Sequence, residues 1–366
     1  MMAPRQFSLI TRQLLLACTV GGLLTACTFV GPKAISSGRL AYNEAITETD
    51  NQQMLMVLIH NRYGERGHLL TVASVTANVS ITSSAGVQAG FGSNSDYRGN
   101  LVPFTGGFIY EENPTISYVP VAGERYLRQL TAPVSMALLT QITRSMTDPQ
   151  PALLTLVAEV NGIYNPDFDF GAEDNNKKFE RFIEIIAELT RSHRLNWVET
   201  YGKPDTFSLV IDQSDAEHAA KVAELLTLLG LTPENYTEPR IVIPLSLALN
   251  SADEGAIGLT TRSVWDMVEI LSARIEVPQN DVQNGVAAAP PPPGKVGKLL
   301  RVHHSESKPE HAYVAVEFRD GWFYIDERDL ITKEYFKLLG GLWSLSMASA
   351  AQQNTSAPVL TVPVSR

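Results

Sequence analysis

Apolar and polar residues alternate along one stretch in the first third of the chain. Over residues 73–81 small apolar side chains occupy every second position, and Ser, Thr and Asn occupy the positions between them. This period of two predicts a strand with one apolar and one hydroxyl-rich face. A second extended segment, 104–119, follows the glycine- and serine-rich stretch 83–100. Together the two segments predict a long β-hairpin with a glycine-rich tip.

A helical period governs much of the remaining chain. Apolar residues recur at the spacing of one helical face over 42–63, and Gly64 marks the end of this helix. The same criterion predicts further helices at 123–131, 133–146, 149–163, 177–194, 215–229 and 261–275. Strands are predicted among them at 195–201, 206–211 and 240–245.

A proline run precedes the last part of the chain. The sequence AAAPPPP at 287–293 predicts an extended linker. Beyond it we expect strands at 299–303, 312–318 and 322–325, the last two joined by a turn at Arg319-Asp320-Gly321. A helix at 332–350 and a last strand at 359–364 follow. The whole pattern predicts an α+β fold: an N-terminal helix and long β-hairpin, a central α/β region, and a small C-terminal β-rich unit with a helix.

The first 26 residues have the pattern of an export signal. Arg5 and Arg12 are the charged residues of the opening segment, and an apolar stretch, QLLLACTVGGLLTA, follows at 13–26. This stretch is too short to cross a bilayer comfortably, because a span takes about 20 apolar residues. A basic segment followed by a short apolar one is typical of a secretory signal peptide.

The apolar stretch ends in Leu24-Thr25-Ala26-Cys27, which resembles the lipobox of bacterial lipoproteins. The resemblance implies cleavage between Ala26 and Cys27 by the lipoprotein signal peptidase, with a diacylglycerol thioether on Cys27 and an acylated new amino terminus. An ordinary signal cleaved after Ala26 is the alternative. Thr28, rather than Asp, follows the cysteine, and this implies an anchor in the outer membrane, facing the periplasm. Exposure on the cell surface remains open.

Six segments follow from these patterns. We expect a signal peptide at 1–26, a tether at 27–40 and a helix-plus-hairpin region at 41–122. A central α/β region at 123–280, a proline-rich linker at 281–296 and a C-terminal β-rich unit at 297–366 follow.

Composition narrows the classes of function. The formal net charge of −10 predicts no nucleic-acid binding, because a phosphate-backbone binder needs clustered Lys and Arg. The chain has two cysteines, Cys18 in the signal and Cys27 at the lipobox. If the lipid occupies Cys27, the mature chain has no thiol for a disulfide, a redox reaction or a cysteine nucleophile.

Two clusters could bind a metal, and we interpret both as ordinary surface. His303, His304 and His311 lie near one hairpin, with Glu306 and Glu310 beside them. A second group, with the spacing of a solvated turn before a helix, consists of Asp167, Asp169, Glu173 and Asp174. Neither has an established ligand order for a metal site, so no metal and no cofactor is predicted.

The sequence contains few motifs typical of catalysis or ligand binding. Gly341-Leu342-Trp343-Ser344 only approaches the serine-hydrolase motif and falls in a predicted helix, and no glycine-rich phosphate loop is present. The triplet Trp322-Phe323-Tyr324 could stack on a sugar. Alternation sends Trp322 and Tyr324 to one face and Phe323 to the other, and we interpret the strand as half core and half exposed edge. No catalytic residue is predicted.

Several short segments resemble a set of uncharacterised proteobacterial outer-membrane lipoproteins. These segments are Tyr42-Asn43-Glu44-Ala45-Ile46, Pro114-Thr115-Ile116-Ser117-Tyr118, Asn161-Gly162, Trp322-Phe323-Tyr324-Ile325-Asp326 and Pro358-Val359-Leu360-Thr361. They are spread over most of the mature chain, and the resemblance implies one co-folded unit without an assigned activity.

We therefore expect a membrane-anchored periplasmic lipoprotein that has protein partners in the envelope, is capable of forming oligomers, and acts as a non-catalytic structural or interaction component. Two alternatives stay open. In the first, the amphipathic hairpin joins a ring of copies in an envelope channel or export complex. In the second, the protein is a periplasmic hydrolase with a site assembled from distant residues.

Overall fold

The computed structural model describes ten stretches of the chain: 30–65, 69–76, 79–87, 104–112, 115–121, 124–166, 173–200, 206–287, 300–352 and 360–363. Helices and mixed sheets are interspersed along the chain, and the α+β fold class is confirmed. The chain divides into two units, Met1–Gln53 and Met54–Arg366.

The helices differ from the predicted ones mainly at their ends. α1 begins at Val30 rather than at 42, so most of the stretch expected to be a tether is helical; Pro32 falls in its first turn, where a missing N–H costs no helical bond. None of the described helices is long and apolar enough to cross a membrane. Their bounds are α1 Val30–Arg62, α2 Glu124–Thr131, α3 Met136–Ser145, α4 Gln150–Leu156, α5 Glu173–Arg191, α6 Ala216–Leu228, α7 Val264–Ser272, α8 Gln279–Gln283 and α9 Leu330–Gln352.

The strands form four sheets in the described chain, with neighbour orders β1-β4-β14, β2-β3, β6-β5-β10-β9-β8-β7 and β11-β13-β12. Their bounds are β1 Leu69–Thr76, β2 Val79–Val87, β3 Phe104–Glu112, β4 Thr115–Val121, β5 Val157–Val160, β6 Ile163–Tyr164, β7 Leu195–Glu199, β8 Phe207–Asp212, β9 Arg240–Ser246, β10 Ile257–Thr261, β11 His303–Ser305, β12 Ala312–Phe318, β13 Gly321–Asp326 and β14 Leu360–Pro363.

The predicted long hairpin is present as two ladders. β1 pairs with β4 and β2 pairs with β3, and Thr76↔Thr115 and Val79↔Glu112 belong to the same antiparallel register. A bulge lies between Val72 and Ser74. The last strand, which the sequence analysis grouped with the C-terminal unit, instead adds to this hairpin, because β14 pairs with β4.

The central sheet contains a hairpin where a helix was expected. The predicted helix 149–163 stops at Leu156, and the chain continues as β5 and β6 around Asn161-Gly162. Both turn residues have positive φ, 42° and 79°, as a tight two-residue hairpin turn requires. The sequence also did not predict β10. The helix predicted at 261–275 begins at Val264, and Thr261 is instead the last residue of β10.

The buried side chains of Met54–Arg366 form one hydrophobic core. It includes Leu58 of α1, Phe182 of α5, Trp197 of β7, Phe323 of β13 and Phe336 of α9. The central α/β elements and the C-terminal β-rich elements therefore share one core. The proline run at 290–293 lies outside the described residues, and the domain boundary placed at 281–296 stays a prediction.

Candidate functional site

The residues predicted for lipid attachment precede the described part of the chain. Ala26, Cys27 and Thr28 all lie before Val30, where α1 begins. Cleavage and acylation therefore stay predictions from the sequence. The predicted acidic turn also lies outside what the structure describes. Asp167 and Asp169 are outside the described residues, and the side chains of Glu173 and Asp174 are not described.

The histidines around the C-terminal hairpin have separate packing partners. His303 Nδ1 lies 3.2 Å from Glu276 Oε1, and its ring is tilted against Tyr324 at 5.3 Å. His304, on the opposite face of β11, packs edge-on to Phe323 at 5.0 Å, whereas His311 is exposed. No group of three His, Cys, Asp or Glu side chains arranged for a metal ion occurs among the described residues.

The aromatic triplet alternates as predicted. Phe323 is 1% exposed and belongs to the core, while Trp322 and Tyr324 are half-buried on the other face of β13. The strand lies in the centre of its sheet rather than at the edge, which corrects the sequence interpretation. Lys308 Nζ lies 5.4 Å from the centroid of the Trp322 ring. Trp322 and Tyr324 thus already have a cation or a ring against them, which leaves less aromatic surface for a sugar.

A second cluster joins the end of α1 to the C-terminal hairpin. The Tyr63 hydroxyl donates a hydrogen bond of 2.7 Å to Asp281 Oδ2, and the Arg319 guanidinium lies 4.9 Å from the Tyr63 ring centroid. Arg319 also donates to Glu65 at 2.7 Å. Burial, and then the bond to Asp281, raises the pKa of Tyr63. The phenol therefore stays protonated to a higher pH than an exposed tyrosine does, and its hydrogen bond links the residue after α1 to Asp281.

The open face of the central sheet carries a surface hollow of about 310 Å³. On this face the side chains of β7, β8 and β9 form rows that run across the strands. Arg194, Asp212 and Arg240 are neighbours in one row, and Asn196, Val210 and Val242 are neighbours in the next. The opposite face of the same strands is buried, since Leu195, Trp197, Leu209, Ile211, Ile241 and Ile243 belong to the core. Alternation along three strands thus separates a core face from an open face that carries both polar and apolar side chains.

The charge in the hollow is mainly positive. Arg144 from the last turn of α3 joins Arg194 and Arg240 in its lining, and Asp212 is the one carboxylate that the described lining contains. Three guanidinium groups therefore face one carboxylate, in a chain whose formal net charge is −10. His193, with φ of 59°, also belongs to the lining.

Arg194 is held in place by two carboxylates. Its guanidinium lies 3.1 Å from Asp212 Oδ2 and 3.0 Å from Asp215 Oδ2. Hydrogen bonds from Ser214, and then Arg194, lower the pKa of Asp212. Hydrogen bonds from the backbone and ring of His218, and then Arg194, lower the pKa of Asp215. Both carboxylates are therefore ionised at neutral pH and orient Arg194 at the edge of the hollow.

Sequence reasoning did not identify this hollow. It predicted the three strands, and the pairs Arg194/Asn196 and Arg240/Val242 carry the alternating signal that could have indicated an open face. The partner row on β8 and the arrival of Arg144 from α3 depend on sheet order, which the sequence alone did not supply.

Comparisons with known proteins identify no relative. No protein-family model, no curated protein and no solved structure matches this chain. The resemblance to uncharacterised lipoproteins therefore depends only on the short segments quoted above.

Proposed function

We propose that this protein is exported, attached through a lipidated Cys27 to the periplasmic face of the outer membrane, and acts as a non-catalytic structural or interaction component of an envelope assembly. The proposal is based on the tetrapeptide Leu24-Thr25-Ala26-Cys27, which resembles a lipobox. It ends a segment that is first basic and then apolar, as an export signal is. Each buried lipid methylene contributes about 0.8 kcal/mol, and a single chain binds only reversibly. Two or three acyl chains hold such a protein on its membrane.

Support for an interaction role comes from exposed apolar side chains on β7, on β9 and in the loop after β9. Val242 on β9 is 56% exposed and Val198 on β7 is 36% exposed, both on the open face of the central sheet. Leu247 and Leu249 follow in the loop after β9 and are also exposed. Apolar surface beside a charged hollow is a usual composition of a protein-binding surface.

Replacing Cys27 with Ala tests the anchor, and Cys18→Ala is the matched control because Cys18 lies inside the removed signal. Labelling cells with radioactive palmitate and separating membranes from the periplasmic extract gives the readout. Cys27→Ala should abolish the label, because no thiol then remains to carry the diacylglycerol. Cys18→Ala should remain labelled and membrane-bound. A Cys27→Ala protein that keeps the label would contradict the proposal.

A second candidate, a subunit of an oligomeric envelope channel or export complex, draws on the alternating hairpin. The β2–β3 ladder continues the register of β1 and β4, and the sequence places hydroxyl residues on every second position over 73–81. If copies join through this hairpin, native mass spectrometry of the detergent-extracted protein should show a defined oligomer. Deleting 79–112 should reduce it to a monomer. A monomer in the intact chain would exclude this candidate.

A further inference from the structure

We propose that the hollow formed by Arg144, Arg194 and Arg240 binds a phosphoryl dianion. The hollow is lined by α3, β7, β8 and β9, and its volume of about 310 Å³ matches the small end of ligand-binding pockets. It accommodates a phosphate group together with a small attached moiety such as one sugar or a lipid headgroup. This inference does not depend on the lipid anchor.

Two of the three arginines are available to a ligand. Arg144 and Arg240 are exposed, and in the described chain neither has an ion pair, a hydrogen bond from its side chain or a ring contact. Arg194 differs, because it is paired with both Asp212 and Asp215. Arg144 and Arg240 enter the hollow from separate elements and can donate to separate oxygens of one ligand, which favours a phosphate monoester, with its three terminal oxygens, over a single carboxylate.

The local structure holds these charges without a ligand. Arg240 begins β9 opposite Asp212, and Arg194 extends the β7 ladder through the hydrogen bond of 2.8 Å from the Asp212 amide to its carbonyl. Their backbone positions are thus set by the sheet, whose other face is packed in the core. Asn196, exposed in the neighbouring row, adds an amide N–H₂ group that can donate to a phosphate oxygen.

Equilibrium dialysis of the full chain in detergent, at physiological ionic strength, tests the inference. The probes are inorganic phosphate, glucose 6-phosphate and a short-chain phosphatidic acid. We expect one saturable site with a dissociation constant of about 1 mM or below for at least one probe. The tightest probe distinguishes free phosphate, a sugar phosphate and a lipid headgroup as the source.

Substitutions locate the binding. Arg144→Gln and Arg240→Gln should each weaken binding about fivefold, and the double variant about 25-fold, because the two charges act on one ligand from separate elements. Arg240→Lys should retain part of the affinity. Arg301→Gln, which removes one exposed arginine outside the hollow, is the matched control and should bind as the unsubstituted chain does.

Two results would overturn the inference. One is the absence of saturable binding of all three probes; the other is a loss in Arg301→Gln equal to the losses in Arg144→Gln and Arg240→Gln, since binding would then follow only the net charge. Circular dichroism of each variant shows that the fold is intact. Both arginines are exposed, so we expect unchanged spectra.

Discussion

At the scale of single residues, Asn161 connects the β5–β6 turn to two distant loops. Its Nδ2 donates to the carbonyls of Leu229 at 2.9 Å and Ala256 at 3.4 Å. Its Oδ1 accepts from the amides of Gly258 at 2.6 Å and Ser251 at 3.2 Å. All four hydrogen-bonding positions of the buried amide are therefore occupied, which is the arrangement that makes a buried polar side chain stabilising.

Asn161→Ala should lower the free energy of unfolding by about 3 kcal/mol or more, because it leaves buried backbone groups without partners and places Ala at a positive φ. Asn161→Gly tolerates that φ and should remain nearly as destabilised if the hydrogen bonds dominate. Asn235→Ala, at an exposed position, is the control and should stay within about 0.5 kcal/mol. Urea unfolding followed by tryptophan fluorescence measures all three. Equal stability of Asn161→Ala and Asn235→Ala would refute this role.

Gly258 shows why a residue type alone does not reveal a packing constraint. A Cβ added there would lie 2.8 Å from the Ala248 carbonyl oxygen and 2.9 Å from the Ser251 amide nitrogen. Both are backbone atoms, so they cannot move aside as a flexible side chain does. The glycine is required by a close approach of two chain segments, not by its own φ, and the sequence does not disclose that approach.

At the scale of elements, helices with local end signals were predicted well. α6 begins after Asp215, whose carboxylate accepts from the His218 amide at 3.0 Å, and ends before Gly230 at φ of 74°. Asp is a residue type favoured at an N-cap, and Gly is favoured at the left-handed position that follows a helix. Their effect is local, because an N-cap and a left-handed glycine act within one turn of the helix that they end.

The end of α4, by contrast, is set by hydrogen bonds from outside the helix. Its last carbonyls are bound by residues from elsewhere: the Arg262 amide donates to Leu156 at 2.7 Å, and Asn165 Nδ2 donates to Leu154 and Val157, both at 2.7 Å. The Arg262 guanidinium adds a bond of 3.2 Å to Leu154. The apolar periodicity of 149–163 continues past Leu156, but these tertiary bonds end the helix there and let the chain turn into β5.

At the scale of the whole molecule, one core joins regions that the sequence separates by a proline run. Phe323 of the C-terminal sheet is 1% exposed and packs edge-on to Tyr63, with ring centroids 6.2 Å apart. Leu300 and Val302, just after the proline run, are buried in the same core. A parallel bridge between Ile275 and Val302 adds backbone contact across it. The central and C-terminal elements should therefore unfold together.

A single reporter tests this coupling. In a chain that keeps Trp197 but carries Trp265→Phe, Trp322→Phe and Trp343→Phe, the fluorescence reports on the central sheet. Adding Phe323→Ala should cost about 3–5 kcal/mol and shift the urea midpoint of the Trp197 signal to lower concentration. Leu127→Ala, at a side chain 59% exposed, is the control and should not shift it. An unmoved Trp197 midpoint in Phe323→Ala would show two independent folding units.

The sequence by itself determined the features that depend on neighbouring residues. These are the α+β class, the hairpin of alternating residues and the alternation of Trp322-Phe323-Tyr324. The tertiary structure decided where α4 ends, that β14 joins β4, and that Arg144, Arg194 and Arg240 line one hollow. The physical reason is range. Propensity, capping and periodicity act within a few residues, whereas sheet order and shared cavities depend on which distant segments bury their apolar faces together.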